Sequence, residues 1–190
     1  MGSSYLTNPV VFLLNTIFSL YILAVMLRFL LQWVHADFRN PVAQALVKVT
    51  NPPLKPLRRF IPGLGGIDLA AVILMLIIQV LALALIAAVV DIQYTPLALV
   101  LTAVAELLAL LINVFLFSIL IQVIISWVNP GAYNPVMAML YSLNEPILRP
   151  ARRLIPPLGG LDLSPLVAAV ALQVLKMLLI PPILHLANSV

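Results

Sequence analysis

The charged residues of this chain that form a pattern are six bases and two aspartates. Lys55, Arg58 and Arg59 are spaced i, i+3, i+4, and Arg149, Arg152 and Arg153 repeat that spacing. On a helix such a triplet forms one basic stripe. Its chemistry is recognition of phosphate or carboxylate, with arginine suited to bidentate contact. An anionic lipid headgroup or an acidic protein partner fits it. Retention of a loop on the cytoplasmic side of a membrane needs positive charge too, and explains the triplets equally well. Asp68 and Asp162 each stand ten residues after an arginine of the triplet, just before an apolar run. They suit a helix N-cap, a salt bridge to the arginine pair, or both.

Other site chemistry has little material. The chain has no cysteine, which excludes disulfides, thiolate metal sites and a cysteine nucleophile. His35 and His185 fall at opposite membrane faces in the topology derived below, so they cannot share a metal. Gly63-Leu64-Gly65-Gly66 follows no strand and precedes no Lys-Ser or Lys-Thr, so it is not a phosphate loop. No carboxylate, histidine and nucleophile come together. The expectation is a non-enzymatic protein without cofactor or metal.

The elements that carry these residues occur twice. Residues 33–68 return at an offset of 94 without a gap. Trp33 returns as Trp127, Asn40-Pro41 as Asn134-Pro135, Arg58-Arg59 as Arg152-Arg153, Gly65-Gly66 as Gly159-Gly160, and Gln79 as Gln173. Apolar periodicity alone is shared by chance among membrane chains. Prolines, glycines, arginines and an aspartate at fixed places are not, so the chain reads as two copies of one unit.

Hydrophobic residues make up 64% of the chain and charged residues 8%, with mean hydropathy +1.18. A soluble domain carries about 25% charged residues. Four apolar runs, 10–34, 69–90, 97–128 and 163–180, are each long enough to span a bilayer. The last is expected to break at Pro181-Pro182. Residues 97–103 of the third have no counterpart in the first run and read as an extension, tilted or protruding. The fold class expected is an all-α membrane protein. Its four transmembrane helices form two tandem parallel two-helix repeats, 10–90 and 97–186, related by a pseudo-two-fold axis along the membrane normal. The first nine residues contain no Lys or Arg, and no cleavable signal is evident.

The loops 35–68 and 129–162 hold Arg39, Lys48 and the two basic triplets, while the N-terminal tail and loop 91–96 hold no Lys or Arg. By the positive-inside rule both long loops are cytoplasmic and both termini periplasmic, in a bacterial inner membrane. Within the loops Asn40 and Asn134 are N-caps, with Pro41 and Pro135 at the first helical position. Val42, Ala45, Leu46 and Val49 then predict one apolar helical face, as do Val136, Met139, Leu140 and Leu143. Short amphipathic helices at the membrane surface follow. Pro56 and Pro150 predict that any second helix starts only there.

Polar residues inside the spans are functional candidates. At 1.5 Å per residue, Arg28 and its repeat mate Gln122 lie roughly 9 Å deep and Gln79 and Gln173 roughly 16 Å. Arg28 is expected to snorkel to the headgroups. Gln79 and Gln173 serve either as interhelical hydrogen-bond donors or as part of an ion or water path. Glu106 is expected near the outer boundary and Lys176 about one turn from the outer end of its helix. Neither has a charged mate in the other copy.

Taken together, Arg28-Phe29-Leu30-Leu31-Gln32-Trp33, Asp37-Phe38-Arg39-Asn40-Pro41, Pro56-Leu57-Arg58-Arg59-Phe60-Ile61-Pro62 and Gly65-Gly66-Ile67-Asp68, with their second copies, resemble the YggT (YlmG-like) family. The likeness covers about residues 10–180, in the two-repeat form of Gram-negative bacteria. It implies a link to osmotic-shock tolerance and ion uptake. Plastid relatives are tied to nucleoid distribution and to assembly of electron-transfer complexes. The resemblance implies no catalytic residues. Copy two departs at Gln122 for Arg28, and at Asn129-Pro130-Gly131 for His35-Ala36-Asp37.

The functional expectation is a membrane-organising or assembly factor that binds anionic lipid and an unidentified membrane or cytoplasmic protein, with no direct nucleic-acid contact. Ion transport under osmotic stress is the alternative. The small-residue face Ala84-x-x-x-Ala88 leaves room for a homo-oligomer. The topology is testable in this cysteine-free chain. Cysteines at Ser3, Gln93 and Ser189 should react with an impermeant reagent added outside, while Lys55→Cys and Arg149→Cys should not. External labelling of either loop cysteine reverses the orientation.

Overall fold

The computed structural model describes residues 3–129, 134–154 and 162–190. Gly159, Gly160 and Pro130-Gly131, singled out above, lie outside the described residues. Among the described residues there are six α-helices: α1 (Ser3–Trp33), α2 (Pro41–Phe60), α3 (Leu69–Val90), α4 (Pro96–Val128), α5 (Pro135–Leu154) and α6 (Ser164–Ser189). The helices α1, α3, α4 and α6 are long and apolar enough to cross a membrane, and large side chains such as Phe12, Ile17, Leu20 and Phe117 stand on their exposed surfaces. The protein is a multi-pass membrane protein.

Local chemistry sets the starts and stops. Asn40 accepts from the amide of Val42, Asp68 from Ala71, Thr95 from Ala98 and Asn134 from Met137. Each supplies an acceptor for a donor that the first helical turn leaves open. Proline follows the cap in α2, α4 and α5, where its missing N–H costs no helical bond. α3 closes on Asp91, whose backbone is left-handed at φ 57° and whose amide returns to Ala87.

Three boundaries differ from the sequence expectation, and all three lengthen helices. α1 begins at Ser3 and includes Pro9. α6 passes through Pro181-Pro182 to Ser189. Stopping a helix inside the apolar layer would strip several backbone groups of partners that lipid cannot replace, whereas a proline removes one bond. α2 and α5 are single 20-residue helices, not pairs of short elements. In α2 the prolines Pro52, Pro53 and Pro56 sit between and beside Thr50 and Leu54, which are completely buried. Packing on both sides of the prolines holds the axis continuous.

The face of α2 that packs on the protein is not the apolar face expected at the membrane surface. Ala43, Thr50 and Leu54 face the protein, while Val42 and Val49 are exposed. In α5 the buried set is Met137, Leu143, Asn144, Leu148 and Ala151. Large apolar side chains together with small and polar ones dock these helices on the bundle, while Val42, Val49 and Val136 are exposed.

Within each repeat the same three pairs pack: α1 with α3, α1 with α2 and α2 with α3, then α4 with α6, α4 with α5 and α5 with α6. Between repeats, α3 packs on α4, but α6 makes no comparable contact with α1. The two-fold relation expected from the sequence would require both. The short connection between Val90 and Pro96 makes α3 and α4 antiparallel neighbours, so the repeats meet head to tail. One core runs through all six helices, including Val25, Leu30, Leu54, Met75, Phe115, Leu148 and Leu172.

Candidate functional site

Polar side chains gather in three places, at the loop-helix end of the bundle, where α1 and α4 meet α2 and α5, and in mid-bundle. At the first, the Arg58 Nε donates to Asp68 Oδ2 at 3.1 Å, its Nη2 also pairs with that carboxylate, and Nη2 reaches Gln32 Oε1 at 3.2 Å. Asp68 meanwhile caps α3 through Ala71. The second repeat reproduces this. Arg152 Nε donates to Asp162 Oδ2 at 3.3 Å, and Asp162 accepts from the Ser164 amide at 2.9 Å. Arg152 also pairs with Glu145 at 3.0 Å, where repeat one has Asn51.

Each aspartate thus fastens the end of a loop helix to the start of the next long helix. Asp68 is buried and Asp162 is exposed. The first pair is therefore costly to break, and the second resembles a surface pair worth roughly 0.2–1 kcal/mol. Partial burial pushes the Asp162 carboxyl up, but its bonds to Ser164 and Arg152 outweigh that and hold it below its usual range. A depressed carboxylate contributes its stability at neutral pH and loses it as pH falls through the folded value.

A cleft of about 390 Å³ opens beside the first latch, lined by Gln32, Arg58, Ile61, Gly63, Gly66, Ile67 and Asp68. Gly65 and Gly66 take positive φ there, at 59° and 84°, which makes the turn into α3 possible.

The second gathering joins each first long helix to its loop helix. Arg28 Nη1 donates to Thr50 Oγ1 at 2.7 Å, and both are buried, at 5% and 0% exposure. Arg28 does not snorkel. Burial of the loop helix against α1 covers it and supplies its acceptor. At the same offset of 94, Asn144 Nδ2 donates to Gln122 Oε1 at 2.8 Å. Ser118 donates to Asn144 at 2.5 Å. The donor sits on the long helix in repeat one and on the loop helix in repeat two. Sequence reasoning missed Thr50 and Asn144, although both are polar residues at the same offset.

The third gathering corrects two depths. Glu106 is not at the outer boundary but level with Gln79, which donates to it. Because α6 runs on to Ser189, Lys176 is not near its end, and it donates to Asn113 at 2.8 Å. Glu106 and Asn113 are seven residues apart on one stripe of α4. Gln173 is exposed and hydrogen-bonds to nothing among the described residues.

The basic triplets divide. Arg58 and Arg152 serve the latches, while Lys55, Arg59, Arg149 and Arg153 are exposed and form no ion pair among the described residues. No group of three or more His, Asp or Glu side chains that could hold a metal occurs among the described residues.

The swapped pair in the two repeats gives a direct test. Thr50→Val leaves the buried Arg28 guanidinium without its acceptor and should destabilise the protein by about 1–3 kcal/mol. Arg28→Gln combined with Thr50→Asn installs the repeat-two pair and should recover most of that loss. Unfolding in detergent of the two variants and the parent measures both.

The CCB3/YggT family matches twice, at residues 7–89 and 101–183. An uncharacterized protein of Pseudomonas aeruginosa is 45% identical over 177 residues, covering 92% of this chain and 90% of its own. The uncharacterized protein YggT of Escherichia coli is 39% identical over 173 residues, covering 90% and 88%. An uncharacterized protein of Vibrio alginolyticus is 41% identical over 169 residues, covering 87% and 90%. No solved structure matches significantly. Two family matches, coinciding with two copies of the arginine–aspartate latch, establish that the chain belongs to the CCB3/YggT family.

Proposed function

We propose that the protein is a non-enzymatic organiser of the bacterial inner membrane, acting through α2 and α5. In this reading both loop helices lie on the cytoplasmic face as amphipathic elements. They hold anionic lipid headgroups there and present a surface to a protein partner, and both termini are periplasmic. The observation that carries it is the division of the triplets. With Arg58 and Arg152 committed to the latches, Lys55, Arg59, Arg149 and Arg153 remain exposed at equivalent places in both repeats. Each set ends beside an exposed apolar residue, Phe60 at 83% and Leu154 at 77%. Bases next to apolar side chains are the composition of a helix seated at a headgroup boundary.

Two further features support lipid as the ligand. Val42 and Val49 of α2 face outward, next to Lys48. An apolar groove of about 500 Å³, lined by Ile17, Phe18, Leu20, Tyr21, Ala24, Val49 and Ile78, runs from α2 along α1. It has the shape and lining for an acyl chain, with α2 in place to meet the headgroup.

The test is lipid selectivity of the reconstituted protein. Replacing Lys55, Arg59, Arg149 and Arg153 by Gln, with Arg39, Lys48, Arg58 and Arg152 kept for topology and latching, removes only the unpaired cations of the two triplets. At about 1 kcal/mol per basic residue near an anionic surface, the variant should lose most of its enrichment of phosphatidylglycerol over phosphatidylethanolamine. Spin-labelled lipids or native mass spectrometry measure this. Unchanged enrichment in a correctly inserted variant refutes lipid binding by these residues.

Ion transport remains a second reading because Glu106 and Lys176 are ionisable groups within the spanning helices, each with one polar neighbour. It predicts ion flux in proteoliposomes that Glu106→Gln abolishes. Absence of flux in the parent chain retires it.

A further inference from the structure

Gln173 is a polar side chain on the apolar surface. It lies on α6, nine residues or roughly 14 Å from Ser164, near the middle of a hydrocarbon layer about 30 Å thick. Its side chain is too short to reach either boundary. A primary amide facing lipid there has no water and no lipid group to bond. Its repeat mate Gln79 meets the same problem on α3 and resolves it by docking on α4 and donating to Glu106. The repeats are joined head to tail, so the face of α6 that corresponds to the docked face of α3 is left uncovered.

That face has a defined pattern. Leu166, Val170, Gln173 and Met177 are spaced 4, 3 and 4 residues apart and are all exposed. This is the spacing of an a/d seam, with one polar residue on it. Lys176, the neighbouring charge, is turned to Asn113 of α4 and is not part of it.

The geometry points to a second copy of this chain as the occupant, docked through α6 as a parallel two-fold dimer. Copies inserted in the same orientation place Gln173 opposite Gln173 at equal depth. The amide is self-complementary: each NH2 donates to the other carbonyl, and both groups are satisfied in one closed contact. A head-to-tail repetition of the α3–α4 interface does not reproduce the Gln79–Glu106 bond. It would set α1 of the next copy against α6, and the α1 residue equivalent to Glu106 is Phe12, which has no polar group to offer. The dimer rests on Gln173 alone and is independent of the lipid reading.

The full-length chain, carrying donor or acceptor fluorophores on Ser189→Cys, is reconstituted in phosphatidylethanolamine–phosphatidylglycerol vesicles over a range of protein-to-lipid ratios. Energy transfer should saturate as expected for a dimer. Gln173→Leu should weaken association about tenfold, the scale of one intramembrane hydrogen-bonded pair. Leucine at a lipid-facing position does not endanger folding. Gln173→Asn should retain most of the association, and Gln79→Leu should not reduce it. In otherwise cysteine-free protein, Met177→Cys should cross-link copies by oxidation, and Leu175→Cys, on the far side of α6, should not. A monomer at every ratio, wild-type association in Gln173→Leu, or equal cross-linking at both cysteines overturns the proposal. So does cross-linking of Met177→Cys in native membranes to a different polypeptide only.

Discussion

A polar side chain placed in hydrocarbon must find its partner within protein, because the solvent supplies none. The arrangement of this bundle follows that requirement closely. Arg28 would be untenable against lipid, and α2 folds over it with Thr50 in place to accept. Gln122 and Ser118 are covered by α5 through Asn144. The loop helices therefore act as lids on the polar ends of α1 and α4. The bond is worth more than its own energy here, since removing either partner strands a buried polar group. The same reasoning accounts for the continuity of α6 through two prolines, where a break would strand backbone instead of side chain.

The latches work at the other end of each loop helix. Arg58 and Arg152 are anchored by aspartates that also cap the following helix, so one carboxylate fixes the exit of the loop helix and the entry of the next span together. Each loop helix is held at two points, by a neutral or charge-assisted bond near its middle and by an ion pair at its end. Between those points only one face is free. The exposed Lys55, Arg59, Arg149 and Arg153 belong to helices whose position is already determined, and that rigidity is what a recognition surface requires.

Much of this was legible in the residues. The duplication, the spans, the Asn40 and Asn134 caps and the dual role open to Asp68 and Asp162 follow from residue types whose local physics dominates. What could not be read depended on packing. Pro56 signals a helix boundary in isolation, but burial of Thr50 and Leu54 overrides it. Val42 and Val49 form an apolar face by spacing, yet in a membrane protein apolar residues serve equally well facing lipid, so hydrophobicity loses its power to tell inside from outside. The informative residues in such a helix are the small and polar ones, Ala43 and Thr50. Depth is hard to read for a related reason: Glu106 lies ten residues inside α4, matching the eleven from Gln79 to the end of α3, so the surplus length of the 33-residue α4 lies at its other end.

The two repeats also show how duplication permits divergence. In a two-fold pair of identical units every polar residue appears twice and must be satisfied twice in the same way. Once the copies are one chain, each may solve its problem separately. Repeat one keeps a guanidinium and a hydroxyl where repeat two has two amides. Glu145 joins the second latch, at the position of Asn51, and Glu106 and Asn113 appear on α4 where α1 has Phe12 and Ser19. Glu106 and Asn113 both lie on the stripe of α4 that faces its neighbours, taking hydrogen bonds from Gln79 on one side and Lys176 on the other. The Gln79–Glu106 bond across the α3–α4 contact thus uses a residue that only repeat two carries. Gln79 has an acceptor in Glu106, while its mate Gln173 is exposed and has none among the described residues.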